Sequence, residues 1–225
     1  MIKTLPALAV GAALAAAGVA SANHIDLFTE GDFLLVLTPP GPSVSASVTE
    51  ENAPFGDSIL GNNRFVQLEF TPGPPNGIGL ASQLDLNNGV LTYTNSAETW
   101  GTMTLRYGDT SDLDLVTASN YGALRVNVTA LGAGDAFTLN VIATDTSNNT
   151  DTESVVVNAT GDYDFNFSAF AGVDFTSIDS LTFRVVSQNP GDDITLGEIA
   201  RVVVPEPASA GLLALGGLAL LRRRR

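Results

Sequence analysis

The chain is expected to fold as an all-β protein, an antiparallel β-sandwich flanked by an N-terminal signal helix and a C-terminal transmembrane helix. Three observations predict the sandwich. Apolar residues recur with period two in short runs, Gly, Pro, Asn and Asp separate those runs, and no long stretch shows a helical period of 3.6. Phe137, Leu139, Val141 and Ala143 face one way while Thr138 and Asn140 face the other, with Ile142 breaking the polar side. Leu124, Val126 and Val128 alternate in the same manner with Arg125, Asn127 and Thr129.

Further strands are expected over 33–38, 43–49, 64–71, 78–84, 90–94, 102–107, 153–157, 181–187 and 194–203. Asn88-Gly89 lies between Leu84-Asp85-Leu86 and Val90-Leu91, which suits a type I′ hairpin because both central positions need φ > 0. The run Pro72-Gly73-Pro74-Pro75-Asn76-Gly77 bars a strand and makes a wide turn. About ten strands in one domain bury one face each most economically as two packed antiparallel sheets. No internal repeat or dividing linker is evident in the sequence.

The two ends read as addresses. Lys3, an apolar stretch over 5–19 and Ala20-Ser21-Ala22 follow the charged, apolar and small-residue order of a secretory signal, which predicts cleavage by signal peptidase after Ala22. At the other end Val204-Pro205-Glu206-Pro207 precedes an uncharged run over 208–221 and then Arg222, Arg223, Arg224 and Arg225. Proline bars a helix from extending backward, so one is expected to start just after Pro207. At about 1.5 Å per residue the run reaches roughly 21 Å, short of the roughly 30 Å hydrocarbon layer, which makes it a marginal anchor. The arginines should stay cytoplasmic, leaving the domain outside the inner membrane. The expected organisation is a signal peptide over 1–22, an ectodomain over 23–203 and a membrane-seeking tail over 204–225.

Pro205-Glu206-Pro207, the Ala/Gly/Leu helix and the arginine cluster together resemble the PEP-CTERM sorting signal of Gram-negative, biofilm-forming bacteria. The resemblance implies that an exosortase in the inner membrane recognises the tail, cuts near Pro-Glu-Pro and passes the protein to the cell surface or its extracellular polymer. A permanent tail anchor is the alternative, since it uses the same hydrophobic physics.

Between the ends stand five arginines, Arg64, Arg106, Arg125, Arg184 and Arg201, with no lysine, against 23 carboxylates, a formal −18 in a chain whose total is −14. Such a field repels nucleic acid and anionic lipid, so no nucleic-acid partner is expected. There is no cysteine, which excludes disulfides, thiol catalysis and Cys-held zinc or iron–sulfur centres.

Three stretches of the body resemble galactose-binding-like β-jelly-roll ectodomains. Ile59-Leu60-Gly61-Asn62-Asn63-Arg64 is similar to their Leu-Gly-Gly-x-Arg segment. Phe165-Asn166-Phe167-Ser168-Ala169-Phe170, followed by Val173-Asp174-Phe175 and Ile178 to Leu181, is similar to their Phe-rich pattern. Asp193-Ile194-Thr195-Leu196 resembles their last core strand, although Gly197-Glu198 replaces the aspartate that usually follows. The resemblance implies a jelly roll, and that departure puts an inherited structural calcium in doubt.

A histidine-based triad is excluded because the one histidine, His24, lies at the expected mature N-terminus, where flexibility is expected. Two carboxylates suffice for a glycosidase, but no pair is singled out. Calcium is the one ion the acidic runs would suit: Asp109, Asp112 and Asp114 follow Tyr107-Gly108, and a second run extends from Asp145 to Asp151. Each reads first as an ordinary polar turn, and no other cofactor is expected. Sugar recognition wants an aromatic face, for which Trp100, Tyr93, Tyr107 and Tyr121 are the candidates, with Tyr107 expected in the core. The function expected from these readings is non-enzymatic, a structural or adhesive component of the extracellular matrix. The alternatives are a carbohydrate-binding module for exopolysaccharide and a surface glycosidase.

Overall fold

The computed structural model describes residues 23–29, 32–37, 44–51, 59, 63–72, 81–116 and 121–204. The expected signal segment 1–22, the sorting residues Pro205 to Pro207 and Arg222 to Arg225, and the expected span 208–221 lie outside the described residues. Among the described residues no helix is long and apolar enough to cross a membrane.

Thirteen strands are present among the described residues, and they form two antiparallel sheets. In chain order they are β1 (Asn23–Asp26), β2 (Phe33–Leu37), β3 (Val44–Glu51), β4 (Asn63–Pro72), β5 (Ser82–Asn87), β6 (Val90–Asn95), β7 (Thr99–Leu113), β8 (Ala123–Leu131), β9 (Phe137–Asp145), β10 (Thr150–Val157), β11 (Gly161–Asn166), β12 (Ile178–Ser187) and β13 (Ile194–Val202). Sheet A runs β11-β8-β13-β6-β5-β2, with β1 pairing the later half of β13; sheet B runs β10-β9-β12-β7-β4-β3. Alternate residues from both sheets meet in one core, among them Leu84, Leu91, Val126 and Leu196 from sheet A and Leu68, Leu105, Val141 and Phe183 from sheet B. The alternation read in β8 and β9 is the physical cause, since a period of two puts every second side chain on the buried face.

The Asn88-Gly89 hairpin forms as expected, with φ of 53° and 79°. Two strands escaped the sequence reading. β11 (GDYDFN) carries Asp162 and Asp164 on its outward side and is held by pairing with β8. β1 is four residues long and contains His24, so the expectation of a flexible N-terminus is corrected: His24 pairs with Ala200 of β13. Strand β7 also extends beyond the expected 102–107, to Thr99–Leu113.

The Phe-rich stretch closes one end of the core. After β11 a single 3-10 turn, Phe167–Ala169, brings Phe167 onto Phe175 as a stacked pair with centroids 4.1 Å apart, and Phe170 meets Phe175 edge-on at 5.2 Å. A buried ion pair ties the sheets together. Arg64 of β4 donates from Nη1 to both oxygens of Asp26 of β1, at 3.1 and 2.8 Å, and the Tyr107 hydroxyl of β7 donates to Asp26 Oδ2 at 2.8 Å. The Phe28 amide adds a fourth contact to the same carboxylate at 2.8 Å.

Candidate functional site

Residues directly opposite each other on antiparallel strands share a face, so the pairing register maps the surface of sheet B. On β7, Met103, Leu105 and Tyr107 are buried in the core, which turns Thr102, Thr104 and Arg106 outward. Trp100 has the same parity and is half-buried, at one end of this outer face. Arg106 stands at the other end opposite Phe65 of β4, with its guanidinium 4.9 Å from the Phe65 ring centroid. The six residue steps from Trp100 to Arg106 span about 20 Å of strand.

Hydrogen-bonding side chains fill the distance between the two aromatics. The central row across the sheet is Ser154, Asn140, Arg184, Thr104 and Gln67. Ser154 Oγ donates to Asn140 Oδ1 at 2.8 Å, and Asn140 Nδ2 donates to the Arg184 carbonyl at 3.3 Å, which orients the amide along the row. Arg184 Nη2 lies 3.9 Å from Glu69 Oε2, both side chains being nearly half exposed, so the pair is loose and solvated. Aromatic surface at both ends with donors and acceptors between is an arrangement that can stack on and hydrogen-bond an extended polyhydroxylated ligand.

Of the four aromatic candidates, Trp100 alone lies on this face. Tyr107 is in the core as expected, and Tyr93 and Tyr121 are buried as well. Burial pushes the Tyr93 phenol up to about 12, and its ring packs 6.1 Å from Phe137, so it is a core residue. Phe65, Arg106, Arg184 and Gln67 were not singled out from sequence. Their signal was present in β4, where Phe65 is an apolar residue on the side of the alternation otherwise held by Gln67 and Glu69.

The acidic run does not assemble as a loop. Gly108 pairs with Ser180 and Leu113 with Ile178, so the four residues from Asp109 to Asp112 bulge out of β7 opposite Asp179 alone. The side chains of Asp109 and Asp112 lie outside the described residues. Asp114 follows the strand, exposed, and accepts from the Val116 amide at 3.0 Å. In the second run Asp145, 2% exposed, accepts from the amides of Ser147, Asn149 and Asp174 and from Asn149 Nδ2. The Asn149 side chain chiefly, with those amides, holds the Asp145 carboxyl below the usual aspartate range. Asp145 thus serves its own turn. Among the described residues no group of three or more acidic or histidine side chains is placed to hold a metal ion.

The outer face of sheet A has a different character. Arg125 forks onto Asp164, Nε to Oδ1 at 2.7 Å and Nη2 to Oδ2 at 2.8 Å, and its Nη1 reaches Asp162 at 3.2 Å. Asn127 Nδ2 donates to Asp162 at 2.7 Å, and His24 Nδ1 lies 3.0 Å from Glu198. His24 is therefore on the opposite sheet from Trp100, tied to β13.

No protein-family model and no curated protein matches the sequence. Solved structures with a similar arrangement include CtCBM11 in solution, at 12% identity over 84% of this chain and 99% of that one, with a TM-score of 0.40. The family 11 carbohydrate-binding module from Clostridium thermocellum in complex with a β-1,3-1,4-mixed-linked tetrasaccharide is 13% identical over 72% of this chain and 90% of that one, with a TM-score of 0.36. PfGH50B is 12% identical over 61% of this chain, with a TM-score of 0.40, and the chain spans 22% of its length.

Proposed function

We propose that this domain is a non-catalytic carbohydrate-binding module of jelly-roll type, which takes a polysaccharide chain along the outer face of sheet B. The supporting observation is the placement of Trp100 and the Phe65–Arg106 pair at opposite ends of one polar sheet face. Sugar rings present apolar C–H faces and equatorial hydroxyls, and the aromatic ends and the Asn140, Thr104 and Gln67 row complement the two in turn. Glycan-array binding tests the reading with the Trp100→Ala and Phe65→Ala variants. Loss of retention in both, with melting temperature maintained, is the expected result; binding untouched by either substitution discards this face as the site. Hydrolysis of the bound polymer by the protein would favour a surface glycosidase instead.

We further propose that the module is delivered outside the cell as an adhesive or structural matrix component. In this reading signal peptidase cuts after Ala22, and an exosortase in the inner membrane processes the tail at Pro205-Glu206-Pro207 while Arg222 to Arg225 stay cytoplasmic. Supporting it, β13 ends at Val202 and Val204 is exposed, so the sheet stops before the Pro-Glu-Pro motif begins in the sequence. Mass spectrometry of surface-extracted protein should show a form lacking both 1–22 and the arginines. An intact C-terminus at the surface would replace sorting with a permanent anchor.

A further inference from the structure

The five arginines of a body with 23 carboxylates are not spread evenly. Arg64 is buried on Asp26, and Arg201 is buried over the Tyr121 ring at 4.7 Å with Nη1 donating to the Asp114 carbonyl at 2.9 Å. Arg125 is forked onto Asp164 on the outer face of sheet A, which also carries Asp85, Asp162 and Glu198. The remaining two, Arg106 and Arg184, both lie on the outer face of sheet B, across adjacent rows of β7 and β12. There the carboxylate among the described outward side chains is Glu69, with Asp179 at the Gly108 end. In an otherwise acidic molecule, two of the three outer arginines therefore lie on the face that carries the aromatic ends.

Resting on the carbohydrate-binding reading of this face, we propose that its ligand is an anionic polysaccharide, one bearing carboxylate or sulfate groups. A neutral polymer offers a guanidinium single hydroxyl acceptors, whereas an anionic group presents two oxygens to one planar fork in a stronger, charge-assisted pair. Arg184 is the better placed of the two to do this. It is 48% exposed and its partner Glu69 is 3.9 Å away, a contact that a ligand anion exchanges at little cost. Arg106, laid over Phe65, offers a stacking surface with charge beside it. The carboxylates of sheet A lie on the opposite face of the sandwich, so they act on a ligand on sheet B over a longer distance than the two arginines that would touch it.

The test is isothermal titration of the full chain in non-ionic detergent at physiological salt. The probes are polygalacturonate, dextran sulfate and a neutral mixed-linked β-glucan. The expected result is an affinity for one or both anionic polymers at least about ten-fold above that for the neutral one, lowered about ten-fold by R184Q with no change in melting temperature. R106Q should act in the same direction. Preference for polygalacturonate assigns a carboxylate ligand, and preference for dextran sulfate a sulfate. Equal or tighter binding of the neutral glucan, or anionic binding indifferent to both arginine variants, overturns the charge inference; Trp100→Ala then reports whether the carbohydrate reading survives. No heat with any of the three polymers overturns both.

Discussion

At the scale of single residues the molecule's most constrained point is Asp26. Its carboxylate is fully buried and receives two contacts from Arg64, one from Tyr107 and one from the Phe28 amide, so β1, β4 and β7 converge on it. Removing one partner of a buried pair leaves the other charge without compensation, a loss of about 3–5 kcal/mol. Arg64→Ala should therefore destabilise by about that amount in chemical denaturation, whereas Asp26→Asn combined with Arg64→Met should recover much of it. The Leu-Gly-Asn-Asn-Arg resemblance drew attention to Arg64, but alternation alone placed it no differently from Val66; its partner is 38 residues away. Asp145 makes a pH-dependent contribution. Its carboxyl titrates below its ordinary value in the fold, chiefly through Asn149, so the associated stability is present above the unfolded value, about 4, and fades as pH falls through the lowered one. Asp145→Asn should flatten the acid limb of a melting-temperature profile and leave its neutral limb lower.

At the scale of elements, β13 carries the largest share of specification. It pairs with β8 on one side and with β6 and then β1 on the other, and its register slips at Gly197. A Cβ at Gly197 would stand 2.6 Å from Thr129 Cγ2 and 2.7 Å from Asn127 Oδ1, so the bulge needs glycine for close approach to β8. Gly197→Ala should cost about 1–3 kcal/mol by overpacking, measured by urea denaturation, and Thr129→Ala in the same chain should restore part of it. Strands with strong alternation, β8 and β9 above all, were legible because period two is a local property. β1 and β11 were not, because both are short and polar and become strands by pairing with β13 and β8. The course of the chain after Gly108 was not legible for a related reason: whether it loops or bulges depends on which residues of β12 lie opposite.

At the scale of the whole molecule, charge is the governing quantity. A body at −18 repels itself, and the described outer face of sheet A holds Asp85, Asp162, Asp164 and Glu198 against Arg125. Raising salt from low to physiological ionic strength should raise the melting temperature, because screening relieves that repulsion more than it weakens the buried Asp26–Arg64 pair. A melting temperature that fell with added salt would mean that exposed ion pairs such as Arg125–Asp164 outweigh the net charge.

Composition and alternation by themselves determined an all-β, cysteine-free, acidic body with its strands mostly in place, since burial on one face writes a period into the chain wherever a strand runs. Tertiary structure alone decided that Trp100, Phe65, Arg106 and Arg184, carried on three strands, share one face while Tyr93 and Tyr121 turn inward. Period two specifies which side a residue takes relative to its own neighbours; which strands lie adjacent, in what register, is set by long-range pairing that no local pattern encodes.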